Sequence, residues 1–338
     1  MSIANVELSA EDALRLNVLL AGELLAVRLD EGARVLHALT PRGEARVPLN
    51  PAGRAERYFQ RVRELLGGHA LGSPGGYPVH LRRWTRMGHA EPQRLEALLK
   101  LGEPEAVLAV AYAPTLTDEL ARRVWWVLPT MEVARVMLAN PAVRTGTMGP
   151  VLADFLIEHL PFEEDPITAM HAVRAVLAAG LIDAAAREQL WAKGKRRPWY
   201  LIGFLEHLPD DLPAEAGRPL PAGLPDTPAT RLLARCCSAS GQSYLKAAEL
   251  ALEKPPAHEA VYLLLDLMGA YFAAGRDPAG LESCPAEAAA LQALSQLSEA
   301  VAMPVLTRTT AIGPLMRRHL EPVFAPIIGQ LHVLRGLP

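Results

Sequence analysis

The chain has 338 residues, of which 50% are hydrophobic, 21% charged and 5% aromatic, and its formal net charge is −3. That balance is typical of a folded chain with a sizeable core, and it excludes a disordered one. The near-neutral charge provides no whole-chain field directed at nucleic acid or at an anionic membrane.

The first fifty residues differ from the rest. Ser9 offers an N-cap ahead of the acids Glu11 and Asp12, and the apolar positions from Leu14 to Leu20 continue a helix. Three segments with strand character follow, Leu24–Leu29, Ala33–Leu39 and Glu44–Leu49. They are separated by Asp30-Glu31-Gly32 and by Thr40-Pro41-Arg42-Gly43, both good turn chemistry. A helix and a three-stranded β-meander are therefore expected over residues 1–50.

From Pro51 the period becomes helical. Tyr58, Val62, Leu65 and Leu66 form one stripe of a helix over Pro51–Leu66. Further helices are predicted near Pro92–Leu101, Glu103–Tyr112, Leu116–Val127, Met131–Leu138, Gly149–His159, Pro166–Ala179 and Asp183–Ala192. Proline recurs near their starts, and Gly or Asn-Pro at their ends. The Pro-rich stretch Leu208–Pro228 is a semi-extended linker or a long surface loop, and it divides the chain near residue 215. Beyond it the pattern predicts helices at Ala229–Ser238, Gln242–Leu252, Ala257–Ala274, Pro285–Ala302, Gly313–His319 and Val323–Leu334. The expected fold is mainly α, an irregular, α-solenoid-like helical array with a small N-terminal β-meander. Its expected regions are 1–50, a helical array over 51–208, a linker at 209–228 and a C-terminal helical region over 229–338.

Three features bear on location. Cys236, Cys237 and Cys284 are too few, and odd in number, for a disulfide framework. The start of the chain lacks a basic segment followed by an apolar run. The longest uncharged run, Leu65–Leu81, is broken by glycines and prolines and falls short of the roughly 20 apolar residues of a spanning helix. A cytoplasmic chain with no membrane insertion is expected.

Candidate chemistry is sparse. Between Glu64 and Glu91 there is no carboxylate, and the segment Leu71–His89 holds Tyr77, His80, Arg82, Arg83, Trp84 and Arg86 among glycines. These groups suit an acidic partner or nucleic acid, with Tyr77 and Trp84 available for base stacking. No Gly-Lys-Ser/Thr follows the glycines, so the segment is not a phosphate loop. The plain alternative is an ordered loop whose arginines meet neighbouring carboxylates. Arginine outnumbers lysine 29 to 5, so any basic cluster here is Arg-rich by default. A second basic-aromatic cluster, Lys193–Tyr200, contains Arg196, Arg197 and Trp199, but its cations also complement a helix end. The adjacent thiols Cys236 and Cys237 point about 100° apart on a helix, so they do not easily serve one metal or one substrate. They are either buried and inert or reactive, with Arg235 the one local group favouring a thiolate. The histidine spacings make no metal site, and neither a cofactor motif nor an acid–base constellation is found.

The run LGSPGGYPVHLRRWTRMGH at 71–89, followed by LGEPEAVLAV and LTDELARRVWW, resembles the DsrS family. Those proteins accompany the dissimilatory sulfite reductase gene clusters of sulfur-oxidising bacteria. The resemblance is strongest over Ala10–Glu206. It implies a role around cytoplasmic sulfur oxidation with a protein of that pathway as partner, and it carries no catalytic residues. Three functions stay open: a non-enzymatic accessory or interaction protein, a nucleic-acid-binding regulator using the two basic-aromatic clusters, and a sulfur-transfer protein using Cys236 or Cys237.

Overall fold

The computed structural model describes residues 8–51, 53–72, 92–213 and 215–337. Among them are 17 α-helices and a three-stranded antiparallel sheet near the N-terminus, and 64% of the described residues are helical. By internal packing the chain divides into two compact units, Met1–Phe155 and Leu156–Pro338.

The first unit begins with α1 (Ala10–Leu20), whose N-cap Ser9 accepts a hydrogen bond from the Asp12 amide. The meander follows as β1 (Ala26–Asp30), β2 (Val35–Thr40) and β3 (Gly43–Pro48), in sheet order β1-β2-β3. Its turns fall where Asp30-Glu-Gly and Thr40-Pro-Arg-Gly place them, and Thr40 pairs with Gly43 across the second. Side chains alternate across a strand, so one face of the sheet buries Val27, Leu36, Ala38 and Val47 against α1 and against α2 (Ala55–Leu71).

A buried carboxylate pins these parts together. Asp12 is fully buried and accepts hydrogen bonds from Tyr58 Oη (2.7 Å), the Asn50 amide (3.1 Å) and Asn50 Nδ2 (3.2 Å). Burial works to raise its pKa, but the hydrogen bonds from Tyr58, Asn50 and Ser9 prevail and hold it below the usual carboxylate range. The rest of the unit is helical: α3 (Pro92–Leu98), α4 (Pro104–Ala111), α5 (Asp118–Val127), α6 (Met131–Leu138), α7 (Pro141–Arg144) and the start of α8 (Met148–His159). Helix α5 packs on β1. Thr117, Thr130 and Asn140 cap α5, α6 and α7 through their side chains.

The second unit is built from α9 (Pro166–Ala179), α10 (Ala184–Gly194), α11 (Trp199–His207), α12 (Pro228–Cys237), α13 (Ala239–Glu253), α14 (His258–Tyr271), α15 (Pro285–Leu294), α16 (Glu299–Leu306) and α17 (Gly313–Arg335). At its centre lies α11, buried from Tyr200 through Leu205 and packed against α9, α10, α13 and α14.

The helix pattern holds with four differences, the first being the short α7, which is not predicted. Helix α11 is not predicted, because an apolar run buried on all sides has no amphipathic period to reveal it. The helix expected over Pro285–Ala302 is two helices. The Glu299 amide donates to Asp266 Oδ1 of α14 (2.8 Å), so a side chain from another helix caps a new start. The helices expected at Gly313–His319 and Val323–Leu334 are one, running through Pro322 and Pro326. Both prolines are exposed, so the carbonyls that lose an amide partner turn to water.

The Pro-rich stretch is helix-free but fastened to the second unit. Leu212 is buried, the Leu212 amide donates to Ser240 Oγ (3.2 Å), and the Arg218 amide donates to the Cys237 carbonyl (2.8 Å). The Arg218 guanidinium reaches Glu287 (2.8 Å) and the Val333 carbonyl (3.0 Å).

Candidate functional site

Tyr77, His80, Arg82, Arg83, Trp84 and Arg86 lie outside the described residues. In the second cluster, Lys193, Lys195 and Arg196 are presented to solvent. Arg197 turns inward and donates to the Leu160 carbonyl (3.3 Å) and to Tyr200 Oη (3.0 Å). Trp199 is half-buried against the edge of Tyr200, and its indole nitrogen is buried without a hydrogen-bond partner. Packing therefore consumes Arg197 and both aromatic rings of this cluster and leaves its other three cations at the surface.

The thiols are sealed. Cys236 is 0% exposed, Cys237 4% and Cys284 6%. Burial, reinforced by the neighbouring Cys237, pushes the Cys236 thiol well above its ordinary pKa, and burial likewise raises Cys237. Arg235 offers only a smaller opposing pull, because its guanidinium is engaged elsewhere. It donates to both carboxylate oxygens of Asp210 (2.5 and 2.7 Å) and lies 3.9 Å over the ring of Tyr271. Tyr271 in turn stacks on Tyr244 at 3.6 Å. From solvent to core the order is carboxylate, guanidinium, ring, ring.

A polar network joins α9, α11 and α14. Arg174 grips Glu206 with two hydrogen bonds (2.5 and 2.8 Å), while its third nitrogen meets His171 Nδ1 (3.1 Å). His171 Nε2 reaches Glu259 (2.6 Å), and His207 lies 3.3 Å from Glu206. Burial opposes ionisation of Glu206, yet hydrogen bonds from Arg174 and His207 hold its pKa down at about 2. A carboxylate held ionised to that extent is a poor proton carrier near neutral pH, so the network is an ionic clasp. Its members come from three helices, which is why sequence spacing misses it.

The sheet carries a second basic-aromatic site. Register places Arg28, His37 and Arg46 directly opposite one another on β1, β2 and β3. They project from the face opposite the core. One pair further along that face, Ala26 and Leu39 are buried beside α5. At the border stands Trp126 of α5, with the Arg28 guanidinium 5.3 Å from its ring centre and 3.5 Å from its carbonyl. Arg28 and Arg46 form no ion pair among the described residues. The nearby acids are occupied: Glu44 accepts from the Trp126 indole (2.6 Å), and Asp30 accepts from the Ala33 amide (2.8 Å). Burial, then the charges of Arg28 and Arg46, depress the His37 pKa. Its Nδ1 is buried with no hydrogen-bond partner among the described residues. Composition does not disclose this trio, but the two turns define the register that does.

Beside Arg28, in the same unit, lies a cleft of about 420 Å³ lined by Asp30, Glu31, Arg63, Gly102 and Glu103. Arg63 bridges Glu31 and Glu103 there, so its charges are internally matched. Among the described residues, no group of three or more His, Cys, Asp or Glu side chains is arranged to hold a metal ion, and no helix is long and apolar enough to cross a membrane. No protein-family model, curated protein or solved structure matches this chain.

Proposed function

We propose that this chain is a non-enzymatic interaction protein, accessory to cytoplasmic sulfur oxidation as its resemblance to the DsrS family implies. The observation that carries the proposal is the start of α17. Ile312 and Leu315 are 67% and 52% exposed there, beside Arg317 and Arg318, which have no hydrogen bond or ion pair among the described residues. Apolar side chains next to uncommitted arginines are the composition of a protein contact surface. The sealed thiols weigh against sulfur transfer through Cys236 or Cys237, since the thiolate is the nucleophile and burial disfavours it.

The test is co-purification of the 338-residue chain with proteins encoded beside dissimilatory sulfite reductase. Wild type should retain at least one of them, and Leu315→Ser with Arg317→Glu should lose it while keeping its helical content. Recovery of none, or of the same set by the variant, counts against this surface as the contact. Labelling of Cys236 in the native protein would return the sulfur-transfer alternative to first place.

A further inference from the structure

The open face of the meander carries an arrangement that folding alone does not account for. Arg28 and Arg46 stand on the outer strands β1 and β3, each directly opposite His37. Here an imidazole stands between two guanidiniums. Adjacent strands lie about 4.8 Å apart, so the row spans roughly 10 Å, within reach of two arginine side chains bending toward His37.

Several other arginines of this unit form ion pairs. Arg15 pairs with Glu11, Arg61 with Glu64, Arg63 with Glu31 and Glu103, and Arg122 and Arg123 with Glu119. The charged groups acting on His37 are Arg28 and Asp30 from β1 and Arg46 and Glu44 from β3, while α5 presents Trp126 at the border. Both carboxylates are already bonded, one to the indole and one to the turn. Neither carboxylate forms an ion pair with Arg28 or Arg46, so both guanidiniums are open to an anion with several acceptor oxygens.

The geometry points to a phosphate-binding site formed by Arg28, His37 and Arg46 on the outer face of the sheet, walled on one side by Trp126. Phosphate fits better than carboxylate because three donor groups in a row outnumber the two oxygens of a carboxylate, which one arginine fork satisfies alone. A phosphate group brings a charge of about −1.5 to −2 and three or more acceptor oxygens to one point. It can take a guanidinium fork from each flank and, between them, a proton-bearing nitrogen of His37. This site does not depend on the partner surface at α17. The phosphate can belong to a small phosphorylated molecule or to a nucleic-acid backbone, since both present the same oxygens.

The test follows the His37 ring by NMR in the full chain while inorganic phosphate replaces chloride at constant ionic strength. Phosphate should raise the His37 pKa by about one unit, as an opposite charge within a few ångström does. Arg46→Gln, a change at an exposed side chain that leaves the fold intact by circular dichroism, should weaken phosphate binding about tenfold. A His37 that responds equally to chloride and phosphate overturns the site, as does an unchanged affinity in Arg46→Gln. A single-stranded oligonucleotide that competes with phosphate, with affinity falling steeply with salt, identifies a nucleic-acid backbone as the source. Failure of the oligonucleotide to compete while phosphate binds identifies a small phosphorylated ligand. A polyglutamate peptide that moves His37 as far as phosphate does would contradict the choice of phosphate.

Discussion

Two regions of this chain place arginine against an aromatic ring, and they differ in where the nearest free carboxylate lies. In the second unit, Arg235 over Tyr271 is held by both oxygens of Asp210. In the first, Arg28 beside Trp126 faces His37 and Arg46, and the carboxylates within reach are bonded to other groups. Equal composition thus supports opposite roles. A guanidinium with an internal counter-charge is part of the packing, whereas one without it is available to something outside the chain. The Lys193–Tyr200 segment makes the same point: Arg197 is consumed by a carbonyl and a phenol, while Lys193, Lys195 and Arg196 stay at the surface.

The largest expected effect lies where the Arg235 region is tightest. A Cβ on Gly241 would stand 1.9 Å from the Arg235 carbonyl oxygen and 2.7 Å from that of Cys236, with backbone that has no room to yield. Gly241→Ala should therefore cost about 3 kcal/mol in denaturant-unfolding experiments. A value within error of wild type would mean that α12 and α13 are not packed this closely. Next comes Arg235→Ala, which removes the contact over Tyr271 and strands Asp210. Because Asp210 is 64% exposed, solvent screens most of the ion pair, and the loss should be about 1.5 kcal/mol, mainly from the ring contact and the lost packing. The contrast sharpens with Arg46→Gln, which removes an exposed, unpaired side chain and should leave stability unchanged within about 0.5 kcal/mol. If Arg46→Gln destabilises the chain as much as Arg235→Ala does, the two regions do not differ in the way described.

The comparison also has a pH signature. The folded-state pKa of His37 is depressed, so protonating it costs more in the folded chain than in the unfolded one. Its contribution is harmless above the unfolded value near 6.5, and stability falls as pH drops from there through the depressed folded value. Arg46→Gln should shrink this acid-side loss below pH 6.5, measured as the difference in unfolding free energy. Asp12 acts at lower pH. Its carboxyl is held below the ordinary range, so its stabilisation is present above the unfolded value near 4 and disappears as pH falls through the folded one.

Much of the fold is legible in the residues themselves. The Asp30-Glu-Gly and Thr40-Pro-Arg-Gly turns mark the meander, Ser9 marks the start of α1, and the bounds of Met131–Leu138 and Pro166–Ala179 agree with the structure residue for residue. What stays hidden depends on distant partners. Helix α11 has no polar face to show a period, the break before Glu299 is made by Asp266, and α17 passes two prolines because they face water. The same holds for the site. Residues 28, 37 and 46 are unremarkable in the chain and become a row only when the turns set the strands in register. The two clusters that stand out by composition give less, since one lies outside the described residues and the other is half absorbed by Leu160 and Tyr200.

The most direct test of the contrast is the pKa of His37 itself, read by NMR titration at low ionic strength in chloride alone. Burial, then the charges of Arg28 and Arg46, predicts a value below the ordinary 6.5 in wild type, and loss of the Arg46 charge predicts a rise toward it in Arg46→Gln. A wild-type His37 that titrates at or above 6.5, unmoved by the loss of Arg46, would show that the chain already supplies the missing negative charge.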